Sequence, residues 1–184
     1  KNNLYVLRLV GGEAEQVTDV KSAVGGFAWS PDGRQLAFLM RDAQTEDEEK
    51  GAKGKDDSRW IDENVKMNRL YVMNLTPDAN GKREPRKLTA DYNVDPDFKW
   101  SPDGQTIVFS RTKTPKVDYW PTADLFAISV SGGEPRPLAT TTAAESNPTY
   151  SPDGKWIAFT SSRDGKNNLY VLPVGGGESE KITD

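Results

Sequence analysis

One turn sequence recurs three times in this chain and constrains its fold more than any other feature. An aromatic residue followed by Ser-Pro-Asp-Gly occupies residues 29–33, 100–104 and 150–154, and a short apolar run follows each copy. Proline fixes φ at the second turn position, Asp can bond nearby backbone amides, and Gly adopts the left-handed conformation that lets a strand resume. Each copy therefore predicts a β-hairpin.

A second element follows each hairpin. Apolar runs at residues 70–73, 125–128 and 169–172 are each followed by a turn, which is rich in glycine in the last two copies, and a short polar strand. Each repeat thus contains four predicted strands, and a unit of about 40 to 50 residues is typical of a propeller blade. We expect the aromatic residue before each turn, and Tyr5 and its equivalents, to pack between adjacent blades.

The first 19 residues repeat the last 19. Thirteen of the 19 positions are identical between residues 1–19 and 166–184, so the chain is expected to open halfway through a blade. We predict an all-β chain of 14 strands, about three and a half four-stranded antiparallel blades of a larger propeller, spanning residues 1–184. The predicted parts are an outer half-blade (1–19), a blade (20–89) with an insertion (43–67), a blade (90–139) and a blade (140–184).

Composition excludes several classes of function. The chain has no Cys and no His, which removes disulfides, thiol nucleophiles, imidazole bases and nearly all zinc sites. It also lacks a Gly-x-Ser-x-Gly elbow, a phosphate-binding glycine loop and a dinucleotide fingerprint. We therefore expect no catalytic residue, no metal and no cofactor in this chain. The absence of Cys fits either a bacterial cytoplasm or a periplasm, and the compartment stays open.

Charge and hydropathy argue against two kinds of partner. The net charge is −4 and the sequence pI is about 5.0, so no global charge attracts a phosphate backbone. No apolar run approaches the roughly 20 residues that a membrane helix needs. Neither nucleic acid nor a membrane is expected as a partner.

The repeats differ on one rim. From the Phe of the second strand to the Leu of the third, the steps are 10, 16 and 32 residues, and these connections share a rim with the crossings between blades. Loops on a rigid scaffold often carry binding functions, so this rim is the expected functional surface. Residues 42–63 contain nine acids and four bases. We expect a solvated flexible loop there; the alternative is a gating or docking loop anchored by Trp60.

Six residues are candidates for binding. Asp95 and Asp97, and Glu145 and Asn147, enter innermost strands from the variable rim and can face the central channel. There they can bind a cation such as a peptide amino group, or supply an acid and a base for glycoside cleavage; a polar loop is the other interpretation. Trp60 and Trp120 lie outside the repeat pattern and are candidates for partner contact.

The repeats resemble those of two groups of proteins. The pattern Phe27-Ala28-Trp29-Ser-Pro-Asp-Gly, with Ser-Ser-Arg-Asp-Gly at residues 161–165, is similar to TolB-like periplasmic propellers and to the N-terminal propellers of the prolyl oligopeptidase family. An acidic insertion followed by residues 57–62 and then Arg69-Leu-Tyr-Val looks like the acylaminoacyl-peptidase and dipeptidyl-aminopeptidase branch of that family. TolB-like propellers are the second choice.

The first resemblance implies a serine peptidase whose C-terminal α/β-hydrolase domain carries Ser, Asp and His, none of which is present here as a motif. It implies that the propeller gates or positions peptides, sometimes with acids that hold the amino end of the substrate. The expected partners are that hydrolase domain and peptides. The second resemblance implies a scaffold for binding another protein. Open blade edges also predict self-association.

Overall fold

Strands dominate the computed structural model, which describes residues 2–53 and 64–184. Fifteen short strands occur within the described residues. They are β1 (Tyr5–Val6), β2 (Glu15–Gln16), β3 (Val24–Trp29), β4 (Gln35–Arg41), β5 (Asn68–Asn74), β6 (Arg86–Lys87), β7 (Asn93–Val94), β8 (Lys99–Trp100), β9 (Thr106–Thr112), β10 (Asp124–Ser129), β11 (Arg136–Ala139), β12 (Glu145–Tyr150), β13 (Trp156–Ser161), β14 (Asn168–Pro173) and β15 (Glu180–Lys181). The helical segments are α1 (Glu46–Lys53) and a 3-10 helix (Val117–Thr122).

The strands form successive antiparallel sheets that confirm the predicted all-β propeller architecture. Two sheets have the orders β3-β4-β5-β6 and β12-β13-β14-β15, and β1 pairs with β2 in a two-stranded sheet. The sheet between the two four-stranded ones has the order β11-β10-β9, with both β7 and β8 on the inner side of β9. The arc is thus an open part of a propeller, with each sheet laid down in chain order from the inside outward.

The inner strand of the middle blade is interrupted, which accounts for a fifteenth strand where 14 were predicted. β7 ends at Val94 and β8 begins at Lys99, so the break falls on residues 95–98, which include Asp95, Pro96 and Asp97. Proline has no N–H to donate, and it cannot continue the ladder of hydrogen bonds to β9.

Neighbouring sheets pack face to face through apolar side chains. The cluster between the β1-β2 sheet and the first blade comprises Leu4, Val17, Val24, Leu36, Phe38 and Met73. The cluster between the first and middle blades comprises Ala37, Leu39, Leu70, Val72, Leu88, Val94, Phe98, Trp100, Ile107, Phe109, Phe126 and Ile128. The cluster between the middle and last blades comprises Val108, Leu125, Ile157, Phe159, Tyr170 and Leu172. Burial between blades therefore holds the arc together.

Each Ser-Pro-Asp-Gly turn closes on itself. In the first copy the Ser30 hydroxyl donates to Asp32 Oδ1 at 2.6 Å, and the same oxygen accepts the Arg34 amide at 3.0 Å. Equivalent bonds form in the other two turns. The bond from Ser30, with that from the Arg34 amide, holds the pKa of Asp32 below its ordinary value. Gly33 has a φ of +69°, where a side chain would be strained.

The aromatic residues before these turns do not all pack between blades as expected. Trp100 is buried, and its indole N–H donates to the carbonyl of Ala28 in the previous blade at 3.2 Å. Trp29, in contrast, is 47% exposed, and Tyr5 is also exposed. The expectation was wrong for Trp29 because the sheet before it has only β1 and β2, so no inner strand covers that side of β3.

The insertion contains a helix where a flexible loop was expected. Thr45 and Glu48 form a reciprocal cap at the start of α1: the Thr45 amide donates to Glu48 Oε2 at 2.7 Å, and the Glu48 amide donates to Thr45 Oγ1 at 3.3 Å. Glu48 also forms an ion pair of 2.7 Å with Lys66. This ion pair links α1 to the segment that leads into β5. Trp60 lies outside the described residues.

Candidate functional site

The connections that differ between repeats lie on one edge of the arc. Because all sheets are antiparallel, the turns at residues 30–34, 101–105 and 151–155 share one edge, which we call the turn edge. The opposite edge carries the connections from the second to the third strand of each blade and the crossings between blades, and we call it the variable rim. The candidate acids lie where inner strands begin, at this rim.

Asp95 and Asp97 lie at the break between β7 and β8. The Asp95 amide donates to the Ser110 carbonyl at 3.0 Å, the Ser110 hydroxyl donates to Asp95 Oδ2 at 3.1 Å, and Asn93 Nδ2 donates to Oδ1 at 3.3 Å. Burial raises the pKa of Asp95; the bond from Ser110 opposes that rise, and the charge of Asp97 adds to it. The two acids are therefore close enough to interact, and the Asp95 carboxylate is held in one orientation.

The segment between these acids packs closely on the neighbouring blade. A Cβ placed on Gly26, in β3, would lie 3.4 Å from the carbonyl oxygen of Pro96 and 3.9 Å from the ring of Phe98. These are ordinary van der Waals distances, so the two inner strands lie in direct reach of each other here. The break in the inner strand is thus packed against the first blade on one side and hydrogen-bonded to Ser110 of β9 on the other.

Glu145 begins β12 and is fully buried. Its carboxylate accepts hydrogen bonds from the hydroxyl and amide of Thr141, from the Ser161 hydroxyl at 3.3 Å, and from the Arg163 guanidinium at 3.2 Å. Its side chain has no exposed surface, and its amide donates to the Ala123 carbonyl of the previous blade at 2.7 Å. These contacts hold the crossing between the middle and last blades against β13. The channel-facing role of Glu145 stays a prediction.

Asn147 lies two residues further along β12, at an irregularity in the pairing with β13. Its φ is +55°, a left-handed conformation that Asn tolerates better than most residues. Its side-chain amide donates to the Thr160 hydroxyl at 3.0 Å, and the residue is exposed. The structure thus places Asp95 and Asp97 together, and places Glu145 and Asn147 in the inner strand of the next blade. Binding by Asn147 stays a prediction.

Trp120 is an exposed aromatic residue on the variable rim. It lies in the 3-10 helix, is 57% exposed, and donates its indole N–H to the Pro115 carbonyl at 3.3 Å. Next to it, the Tyr119 ring lies 5.9 Å from the ammonium of Lys113. Partner contact by Trp120 stays a prediction.

Sequence reasoning missed the arginines that cover aromatic rings at this rim. The Arg163 guanidinium carbon lies 4.4 Å from the centre of the Tyr170 ring, and that of Arg111 lies 3.8 Å from the Tyr92 ring and 3.5 Å from the Phe126 ring. The available signal is a basic residue two to four positions after the Phe in the second strand of each repeat.

A cleft of about 620 Å³ lies on the turn edge. It is lined by the first two Ser-Pro-Asp-Gly turns and by Asn74 and Val130. It is formed mainly by residues of the repeated turns, whereas the variable rim carries the connections that differ between repeats.

The described residues contain neither a cluster of metal-binding side chains nor a membrane-spanning helix. Across residues 2–53 and 64–184, no three Asp or Glu side chains come together in a way that can hold a metal ion. No helix in that part of the chain is long and apolar enough to cross a membrane.

Residues 101–184 match the family model described as the dipeptidyl peptidase IV N-terminal region. The chain is 32% identical over 112 residues to the uncharacterized protein Atu1656 of Agrobacterium fabrum, covering 60% of this chain and 34% of that protein. It is 28% identical over 165 residues to the uncharacterized peptidase YuxL of Bacillus subtilis, covering 73% of this chain and 21% of that protein. The chain thus spans about a third or less of the length of these curated relatives.

Solved structures share the fold over the whole chain. A puromycin-hydrolyzing peptidase from Mycobacterium tuberculosis superimposes with a TM-score of 0.72 and 14% identity, covering 100% of this chain and 27% of the other. A TolB protein from Agrobacterium tumefaciens superimposes with a TM-score of 0.68 and 23% identity, covering 100% of this chain and 55% of the other. Both resemblances drawn from the sequence are confirmed: part of the chain matches a peptidase N-terminal region, and the whole chain shares the fold of a TolB protein.

Proposed function

We propose that this propeller receives short, unfolded peptides at its variable rim and positions them for a serine peptidase domain. The observation that carries the proposal is the match of residues 101–184 to the N-terminal region of dipeptidyl peptidase IV. The similarity to the peptidase YuxL supports it over a longer stretch of the chain. With no His, no Cys and no nucleophile elbow, the chain itself binds peptides without cleaving them.

The geometry of Asp95 and Asp97 supports a subsite for a peptide amino group. Asp95 is held by Asn93 and Ser110 on a segment fixed by packing, so little conformational entropy is lost when a cation binds. A second carboxylate at Asp97 adds to the local negative charge. The exposed Trp120 and the insertion with α1 lie on the same rim, where a hydrolase domain would cover the bound peptide.

A second candidate function is a TolB-like scaffold that binds a folded protein. The superposition on the TolB protein of Agrobacterium tumefaciens, which covers the whole of this chain, favours it. In that case the variable rim or the exposed aromatic residues would contact a folded surface and would show no preference for unfolded peptides.

Calorimetric titration of the 184-residue chain separates the two candidates. The proposal predicts that an unstructured peptide of about six residues binds, that acetylation of its amino end weakens binding, and that no cleavage products appear by mass spectrometry. The double variant D95N/D97N should lose about tenfold in affinity for the free amino end, because a hydrogen bond to a charged group contributes about 1.5–3 kcal/mol. The control D153N changes an acid of the turn edge and should bind as the unchanged chain does.

Binding of folded proteins only, with no peptide binding, would overturn the proposal in favour of the scaffold. The gene offers an independent test. A Gly-x-Ser-x-Gly elbow followed by Asp and His, encoded after Asp184, is expected; a downstream sequence without them would contradict the peptidase assignment.

A further inference from the structure

Arg111 is held between two aromatic rings at the variable rim. Its guanidinium carbon lies 3.5 Å from the centre of the buried Phe126 ring and 3.8 Å from the centre of the Tyr92 ring, which is 39% exposed. Phe126 belongs to β10 of the same blade, whereas Tyr92 belongs to the crossing from the previous blade. Stacking on both faces fixes the plane of the guanidinium and leaves its N–H donors directed outward at its edges.

Those donors have no acceptor in the described part of the chain. The other described arginines that bond or pair with a protein oxygen are the buried Arg69 and the half-buried or exposed Arg34, Arg83, Arg86, Arg136 and Arg163. Arg8 and Arg41 are exposed, where water satisfies their donors. Among the described arginines, Arg111 is therefore the half-buried one whose guanidinium N–H groups donate to no protein oxygen. A fixed guanidinium with free edges is suited to bidentate binding of an anion.

The acids around Arg111 disfavour a doubly charged anion more strongly than a singly charged one. Asp124 lies directly opposite Arg111 in the pairing of β10 with β9, and Asp91 precedes Tyr92. Among the described residues, neither acid forms an ion pair with Arg111. Both acids, and Glu134 as well, nevertheless interact with Arg111 at longer range. Their charges repel a doubly charged phosphate more strongly than a carboxylate, because Coulomb repulsion scales with charge. The planar carboxylate also matches the fork of N–H donors.

We propose that Arg111, stacked between Tyr92 and Phe126, is a subsite that binds a carboxylate group of a peptide ligand. This inference rests on the proposed function, since peptides are its ligand class. The carboxylate has two sources, the carboxyl end of the peptide and an Asp or Glu side chain. Together with the acids at positions 95 and 97, the subsite makes the rim bipolar, with one place for a peptide cation and another for a peptide anion.

The experiment titrates the 184-residue chain with three acetylated tripeptides. Acetyl-Ala-Ala-Ala has a free carboxyl end, acetyl-Ala-Glu-Ala amide has only a side-chain carboxylate, and acetyl-Ala-Gln-Ala amide has none. We expect at least one carboxylate peptide to bind about tenfold more tightly than the peptide with none, the scale of one charged hydrogen bond. Whichever carboxylate peptide binds identifies the source. Each bound carboxylate should also shift the NMR signal of the Arg111 side-chain N–H.

Matched variants test the residue itself. R111Q should abolish the tenfold preference, and R111K should lose most of it, since an ammonium keeps the charge but cannot bind bidentately. The control R34Q removes the same charge from an exposed residue of the turn edge and should retain the preference. If R111Q fails to fold, R111K still tests the role of Arg111. Thermal unfolding is measured for all three variants.

Equal affinity for the three peptides would overturn this inference while leaving peptide binding intact. An unchanged preference in R111Q and R111K would overturn it as well. To separate the subsite from the wider proposal, acetyl-leucine and its amide are titrated while the Arg111 signal is followed. A shift with acetyl-leucine alone supports the subsite even if longer peptides fail to bind; no shift with either compound overturns it.

Discussion

Replacing Glu145 with Gln is expected to lower the free energy of unfolding by about 2–3 kcal/mol. The substitution keeps the shape of a fully buried side chain but removes its charge and turns an acceptor oxygen into a donor that faces other donors. Losing one partner of a buried ion pair costs about 3–5 kcal/mol, and a hydrogen bond to a charged group contributes about 1.5–3 kcal/mol. The lower end applies because Arg163 is 23% exposed and water can solvate it.

Thermal unfolding followed by circular dichroism measures this effect. In a chain of this length, 1 kcal/mol corresponds to about 2–4 °C, so E145Q should unfold about 5–10 °C below the unchanged chain. The control E178Q removes the same charge from an exposed residue of the same blade and should change the midpoint by about 1 °C or less. The double variant E145Q/R163Q should lose less than the sum of the two single variants, because the two side chains share one interaction.

Equal midpoints for E145Q and E178Q would refute the assignment of Glu145 to a buried network. So would strict additivity of E145Q and R163Q. A midpoint unchanged by E145Q, combined with weaker peptide binding, would instead support the channel-facing role predicted from the sequence.

Three further predictions concern the turns, the insertion and pH. G104A should lower stability by about 1–2 kcal/mol, because a side chain is strained at a φ of +69°, and chemical denaturation measures it. T45A should raise amide exchange across α1, because removing the hydroxyl cap costs about 1 kcal/mol. D95N should become more stable relative to the unchanged chain as the pH rises from below 3.8 to neutral. Because the fold raises the pKa of Asp95, the protonated carboxyl stabilises the unchanged chain at low pH, and this contribution is lost as Asp95 ionises.

Each of these three has a result that would contradict it. Unchanged stability in G104A would show that the turn tolerates another conformation. Exchange in T45A that matches the unchanged chain would show that the cap does not limit opening of the helix. A stability difference for D95N that stays constant with pH, or that matches the exposed control D118N, would show that Asp95 is not strained by ionisation in the fold.

The repeated turns allowed the blades to be predicted because their signal is local. Pro, Asp and Gly fix a hairpin within five residues, and the structure places all three copies on one edge. The break in the inner strand was visible in principle at Pro96, since proline cannot donate to a ladder. The cap formed by Thr45 and Glu48 also has a local signal, Thr-x-x-Glu, but the many charges of the insertion are equally typical of a solvated loop.

The site depended on contacts that no local pattern reveals. Tyr92 reaches Arg111 from the crossing between blades. The stacking of Arg111 between Tyr92 and Phe126 therefore forms only after two sheets have packed. Glu145 is buried because Thr141 and Arg163 converge on it from opposite sides of β12 in the sequence. The sequence thus predicts where along an inner strand an acid lies. Whether that acid is buried depends on side chains that only the folded arc brings together.

Amide NMR mapping of an unstructured peptide on the 184-residue chain tests the central claim most directly. We predict that the largest shifts fall on the variable rim, around Asp95 and Arg111, and that the peptide stays intact. Shifts confined to the cleft of the turn edge, around Asp32 and Gln105, would contradict the account, and so would cleavage of the peptide by the purified chain.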